Sequence, residues 1–202
     1  MKAPVRLFKL QLVACIALSL AACATHTRSL SPDQIQSLRY TDTIVVFAPD
    51  AALWWGDGER AYAASKGASA DQAETLAKTP EGQAYMRGQI TSKMKAAMAR
   101  HLAGKLIGER PVRVEVVIKN VTIASAAQRI ILGGSHLMQG DVNLIDARSG
   151  AVLQTFVGQL STAAAGQGIV QVAVENMIAT ADPIDRLFDN FTEQYRRWLV
   201  GS

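Results

Sequence analysis

The C-terminal segment limits most strongly what this chain can fold into. After Asp182 and Pro183, which are typical of a helix N-cap and a first helical position, apolar residues recur at helical spacing. They are Ile184, Leu187, Phe188, Phe191, Tyr195, Trp198 and Leu199. A helix with this much aromatic surface on one face must pack on another layer, and we expect that layer to be a sheet.

A second helix and four strands are predicted upstream. Thr79-Pro80-Glu81 is typical of a helix start, and the apolar residues from Met86 to Leu102 have helical spacing, with Gly88 indicating close packing in its middle. The predicted strands are Thr43–Ala48, buried on both faces and stopped by Pro49-Asp50, then 112–123 with a bulge near Ile118–Asn120, and a hairpin of 137–145 with 151–160. Ile169–Thr180 is a further candidate helix.

This order predicts an α+β fold, in which a mostly antiparallel four-stranded sheet with β-α-β-β-β-α order packs against two or three helices. The connection through the long helix is the one expected parallel step. Residues 50–80 fit neither periodicity, and we interpret them as an irregular and functional loop.

The N-terminus has the pattern of a signal peptide. Lys2, Arg6 and Lys9 precede an apolar run from Leu10 to Leu20, which is too short to span a bilayer. The following Leu20-Ala21-Ala22-Cys23 resembles the lipobox of bacterial lipoproteins. The resemblance implies cleavage after Ala22 and acylation of Cys23, and Ala24 in place of Asp favours the outer membrane, facing the periplasm. The alternative is ordinary secretion with cleavage after Ala24.

The predicted organisation is therefore a signal peptide at 1–22, a lipid-anchored tether at 23–42, with a helical turn or two from Asp33 to Arg39, and one globular domain at 43–202. Three of the 21 basic residues lie in 1–22, so the remainder nearly balance the 17 acidic residues, and nothing favours nucleic acid. Cys15 and Cys23 are the two cysteines of the chain, which excludes a thiol nucleophile or a cysteine metal site in the domain. No cofactor motif is present.

Lipobox, tether and this element order together resemble a broad group of small proteobacterial envelope lipoproteins. The group includes penicillin-binding-protein activator lipoproteins, the curli secretion channel lipoprotein and the N-terminal domain of the Tol-Pal periplasmic protein. The chain looks closer still to lipoproteins without an assigned activity that share three stretches with it: 86–91, 110–116 and 146–153. The resemblance implies a non-catalytic accessory role, either docking onto another envelope protein or self-association, with strand edges and the 50–80 loop as the contact surface.

Two other functions stay open. Trp54 and Trp55, with Tyr62, form a candidate binding surface on which a glycan such as peptidoglycan would stack, unless one indole plugs the core and the other covers a loop. Ser135 beside His136 after two glycines suggests a hydrolase, although the pattern is not that of a nucleophile elbow. Asp57 and Glu59 supply too few oxygens for a calcium loop, and we interpret them as a solvated turn.

Overall fold

The structure is a computed structural model that describes residues 29–124, 136–162 and 182–201. It is an α+β fold with one four-stranded mixed sheet, as predicted. The strands are β1 (Leu38–Trp55), β2 (Arg110–Ile123), β3 (His136–Asp146) and β4 (Val152–Thr162). The helices are α1 (Pro32–Gln36), α2 (Gly56–Ser65), α3 (Ala73–Ala77), which follows a 3-10 turn at Ala70–Gln72, α4 (Pro80–Leu102) and α5 (Pro183–Val200).

The strands are arranged in the order of the sequence, β1-β2-β3-β4. β1 and β2 are parallel, and the other two pairings are antiparallel, which confirms the single parallel step. The register of β2 on β3 shifts between Ile118 and Asn120, where the bulge was predicted. The predicted hairpin also forms, and Gly150 takes the positive φ of 74° that its turn requires.

Helices α4 and α5 cover one face of the sheet and enclose the core. All six apolar residues of the α4 pattern from Met86 to Leu102 are buried. The seven apolar residues predicted to line one face of α5 are also buried, except Trp198, which is half-buried. Both N-caps act as the sequence predicts: Thr79 Oγ1 accepts the N–H of Gly82 at 3.1 Å, and Asp182 Oδ1 accepts that of Ile184 at 3.2 Å.

The other face of the sheet is polar and more open. Along β2 the buried and half-buried residues alternate, and a hydrogen-bonded row crosses the strands, from Thr155 Oγ1 to Asn143 Oδ1 at 2.8 Å and from Asn143 Nδ2 to Glu115 Oε1 at 3.0 Å. On β1, Val46 is exposed and Ile44 is half-buried on this face. The prediction of a first strand buried on both faces is therefore wrong.

Regular structure begins earlier and extends further than the sequence indicates. Part of the segment predicted as a tether, 23–42, forms α1 and the start of β1, so Thr43 was too late a start. Pro49 and Asp50 do not end the strand, because β1 skips residues 48–51 in its pairing with β2 and resumes at Ala52. Residues 50–80 are strand and short helices, so the prediction of an irregular loop is wrong. The candidate helix at 169–180 lies outside the described residues.

Candidate binding surface

The two adjacent tryptophans end β1 and occupy opposite environments. Trp54 pairs with Thr122 and Trp55 with Ile123, at the end of the sheet where β1 and β2 finish. Because neighbouring side chains of a strand point to opposite faces, one indole enters the protein and the other leaves it. Trp55 is 5% exposed, whereas Trp54 is 40% exposed.

Trp55 has a structural environment. The Lys93 ammonium lies 5.8 Å from the centroid of its ring, and a Cβ on Gly58 would stand 2.3 Å from its Cε3. Its Nε1 is buried and has no hydrogen-bond partner in the part of the chain that the structure describes. Trp55 therefore fills the junction of β1, α2 and α4 and presents no face to a ligand.

Tyr62 is buried as well. Its ring lies 5.0 Å from that of Tyr85 on α4, and the Lys66 ammonium is 5.6 Å from its centroid. The Tyr62 side chain therefore packs α2 against α4. Of the three aromatic residues predicted to form a surface, the structure places only Trp54 where a glycan can reach it, and a binding role for Trp54 stays a prediction.

Asp57 and Glu59 lie in the first turn of α2 rather than in a loop. Asp57 forms an ion pair with Arg60, and burial raises the pKa of Glu59 above its ordinary value. Within the described ranges no group of three His, Cys, Asp or Glu side chains is placed to hold a metal ion. These acids therefore do not converge on a ligand.

Two histidines, His101 and His136, lie among the described residues. His101 lies between α4 and α5, with Nδ1 3.2 Å from Glu193 Oε2 and Nε2 3.3 Å from Asp189 Oδ1. His136 is the first residue of β3, and Ser135 lies outside the described residues, so the hydrolase hypothesis stays a prediction. Ala22 and Cys23 also lie outside them, and cleavage and acylation remain predictions.

Two buried polar groups lie between α5 and β4. Among the described residues, the Gln154 amide and the Tyr195 hydroxyl have no hydrogen-bond partner, and burial raises the pKa of Tyr195 far above its ordinary value. The Tyr195 ring is enclosed by the core, 5.7 Å from that of Phe156. A ligand cannot reach the hydroxyl unless α5 moves, so this cluster is not an open site.

Among the described residues, β4 is the last strand of the sheet, and no local pattern of the sequence identifies it as an edge. Residues 152–162 include no charged residue and no proline, and Val152 and Val157 are 56% and 51% exposed. The opposite edge, β1, contains Arg39, Asp42, Pro49 and Asp50 and an irregular register. Charges, prolines and bulges are the features that keep edge strands from pairing with other chains. β4 has no charge and no proline, and its register on β3 shifts at its start, between Val152 and Gln154, and is regular from Gln154 to Thr162.

No protein-family model matches the chain, and no curated protein matches it. Among solved structures it is similar to the PelC dodecamer from Paraburkholderia phytofirmans, with 11% identity, a TM-score of 0.40, and coverage of 82% of this chain and 92% of that one. A proposed lipoprotein from Caulobacter crescentus has 16% identity, a TM-score of 0.34, and coverage of 56% and 86%. Lipoprotein GNA1162 from Neisseria meningitidis has 16% identity, a TM-score of 0.26, and coverage of 70% and 96%.

These likenesses are too distant to transfer a function. Among the described residues, no helix combines the length and the apolar character needed to cross a bilayer. The surface features that could bind a partner are the exposed Trp54 and, above all, the edge strand β4.

Proposed function

We propose that the chain is an envelope lipoprotein, anchored through Cys23 in the outer membrane and facing the periplasm, whose domain binds another envelope protein without catalysis. The observation that supports the binding role is the uncharged edge of β4, with its exposed Val157. The Leu20-Ala21-Ala22-Cys23 motif carries the anchor.

The mode of binding in this proposal is strand addition. An extended segment of the partner pairs with the outer edge of β4, where main-chain hydrogen bonds supply affinity and alternate side chains supply specificity. Val157 belongs to a row of partnered residues that crosses the open face, Val46–Val117–Asp141–Val157, so an added strand would extend that face with side chains of its own.

A different protein fits this edge better than a second copy does. Two β4 edges of identical chains would pair antiparallel about a two-fold axis, which sets the start of one strand beside the end of the other. The chain enters the domain beside the start of β4, where the Ser29 hydroxyl donates to the Leu153 carbonyl at 3.4 Å. Such a dimer would hold its two anchors at opposite ends, which does not suit two copies in one membrane.

The edge is tested by a charge placed on it. Val157→Lys adds the residue that protects natural edge strands, on a side chain already half exposed. Val46→Lys is the matched control, because Val46 is exposed in the same row of the same face on the opposite edge strand. We expect the proteins co-isolated with the tagged, acylated chain after in-cell crosslinking to lose one major species with Val157→Lys alone. An identical set in both variants and the wild type would contradict the proposal.

The anchor has a separate test. The intact mass of the mature wild-type chain should begin at Cys23 and include acyl groups, and Cys23→Ser should abolish both features. A mature mass without acyl groups would contradict lipidation.

Exposed Trp54 supports a second candidate, binding of peptidoglycan or another glycan by indole stacking. Trp54→Ala should then abolish retention of the chain on purified peptidoglycan, while Val157→Lys should leave it intact. Retention that survives Trp54→Ala would exclude this use of the indole.

A further inference from the structure

The described chain begins close to its proposed anchor, at one end of the sheet. Ser29 is the sixth residue after Cys23, and six extended residues span at most about 20 Å. Leu30 packs against the core, and Ser29 lies beside the start of β4. An acylated Cys23 would thus keep this end of the sheet within a short distance of the bilayer.

Several loops meet at that end, which we call the anchor end: residues 29–39, 103–110, 146–152 and 200–201. Arg39 forms an isolated bridge with Ile107, and Arg110 Nε donates to Asp146 Oδ2 at 2.8 Å. Val152 pairs with Ile145, next to the same turn. These contacts place the first three segments side by side across the ends of the four strands, and Val200, at the end of α5, lines a depression with Leu30 and Ile35 of the first segment.

The anchor end exposes apolar side chains that the fold does not use. Ile107 is 75% exposed, the highest value among the large hydrophobic side chains that the structure describes as exposed. Val152 and Val200 are exposed at the same end, and Val200 lines a depression of about 260 Å³ with Leu30 and Ile35. Exposed apolar side chains gathered at one end of a domain indicate contact with a protein or a membrane.

The charges around them suit a lipid surface. Arg39, Lys105 and Arg148 are exposed at this end, against the exposed acids Asp33 and Glu109. Asp146 adds no negative charge to this surface, because its carboxylate is buried and forms an ion pair with Arg110. Apolar side chains beside Lys and Arg are the combination that enters the boundary between headgroups and acyl chains.

We propose that the anchor end docks directly onto the bilayer, with Ile107 and Val152 at the headgroup boundary and Arg39 and Lys105 at lipid phosphates. This inference rests on the proposed acylation of Cys23, and it adds an orientation to it. The strands then run away from the membrane, so that the part of β4 around Val157 is clear of the bilayer and Trp54, at the opposite end of β1, points into the periplasm.

The test uses the cysteine content of the chain. Once 1–22 is removed and Cys23 is acylated, no other thiol remains, so Ile107→Cys is a unique site for a fluorescent label. The acylated protein is placed in vesicles of phosphatidylethanolamine with a minority of phosphatidylglycerol, and lipids brominated near the headgroup serve as quenchers. Trp54→Cys, exposed at the opposite end of β1, is the control.

We expect quenching several times stronger at position 107 than at position 54. Equal quenching at both positions, in a chain whose mass shows the acyl groups, would overturn the docked orientation and leave the anchor intact. A label at 107 that is shielded from an aqueous quencher but not reached by the lipid quencher would show a protein on this surface, and it would also overturn the inference. A mass without acyl groups would overturn the anchor and the orientation together.

Discussion

Lys93 on α4 donates to both carboxylate oxygens of Asp185 in the first turn of α5, at 2.9 Å each. The same ammonium lies over the ring of Trp55. One side chain therefore joins the two helices that cover the sheet to the end of β1. Both partners are largely withdrawn from solvent, and Asp185 also stands at the positive end of the α5 dipole.

Lys93→Met should lower the free energy of unfolding by about 1–2 kcal/mol, because it removes a partly buried ion pair and a cation–π contact. Lys95→Met is the matched control two residues away. Lys95 reaches Asp42 only at 3.7 Å and both side chains are largely exposed, so the change should stay within about 0.5 kcal/mol. Urea unfolding of the two variants measures the difference, and equal losses would refute the role given to Lys93.

Asp146 should make the stability depend on pH. The N–H of Ser149 and the Arg110 guanidinium hold the pKa of this carboxyl well below its usual range. A carboxyl with a depressed pKa in the folded state stabilises the fold above its unfolded pKa of about 3.9 and loses that contribution as the pH falls below it. Asp146→Asn should therefore be less stable than the wild type at pH 7.

The gap between the urea midpoints of Asp146→Asn and the wild type should narrow steadily as the pH falls below about 4. A gap that stays constant across this range would mean that the Asp146 charge does not stabilise the turn.

Two glycines of α4 should respond to alanine with opposite signs. A Cβ on Gly82 would lie 2.3 Å from the Leu76 carbonyl oxygen and 2.8 Å from Ala77 Cα, which are backbone atoms that cannot turn aside. A Cβ on Gly88 would meet no described residue within 4 Å, so the prediction that Gly88 marks close packing is wrong.

Gly88→Ala should raise the free energy of unfolding by up to about 1 kcal/mol through helix propensity. Gly82→Ala should lower it by about 1–3 kcal/mol through steric strain. Thermal unfolding of both variants gives the signs, and a Gly82→Ala protein at least as stable as the wild type would show that α3 does not pack on α4 as closely as described.

Replacing each of the two tryptophans by alanine should distinguish a structural role from a binding role. Trp55→Ala removes a buried indole and should cost about 3–5 kcal/mol of unfolding free energy. Trp54→Ala should cost less, about 1–2 kcal/mol, because 40% of that residue's surface is exposed. Denaturant unfolding checks both values, and equal losses in the two variants would contradict the different environments of the two indoles.

The elements predicted correctly from the sequence are those with a long local period. α4, α5 and the β3–β4 hairpin show such periods together with caps or a turn, so local physics specifies them. Pro49 was misleading because it lies in a part of β1 that is not paired with β2 and sits at the edge of the sheet, where a missing N–H is tolerated.

Residues 56–77 were missed for a different reason. Their helices are short and rich in Gly, Ala and polar residues, and contacts with α4 such as Tyr62 on Tyr85 hold them in place. The proposed role of β4 also could not be predicted from the local sequence. The absence of charge in 152–162 is plain in the sequence, but only the order of strands shows that this segment is an edge.

Site-specific photo-crosslinking in growing cells distinguishes a binding edge at β4 from an inert one. A photoreactive amino acid replaces Val157 on β4 or, in the matched control, Val46 on β1. We expect one dominant protein adduct from position 157 and none from position 46. Adducts of equal strength from both positions, or none from 157 while the acylated chain is present in the membrane, would contradict a binding edge at β4.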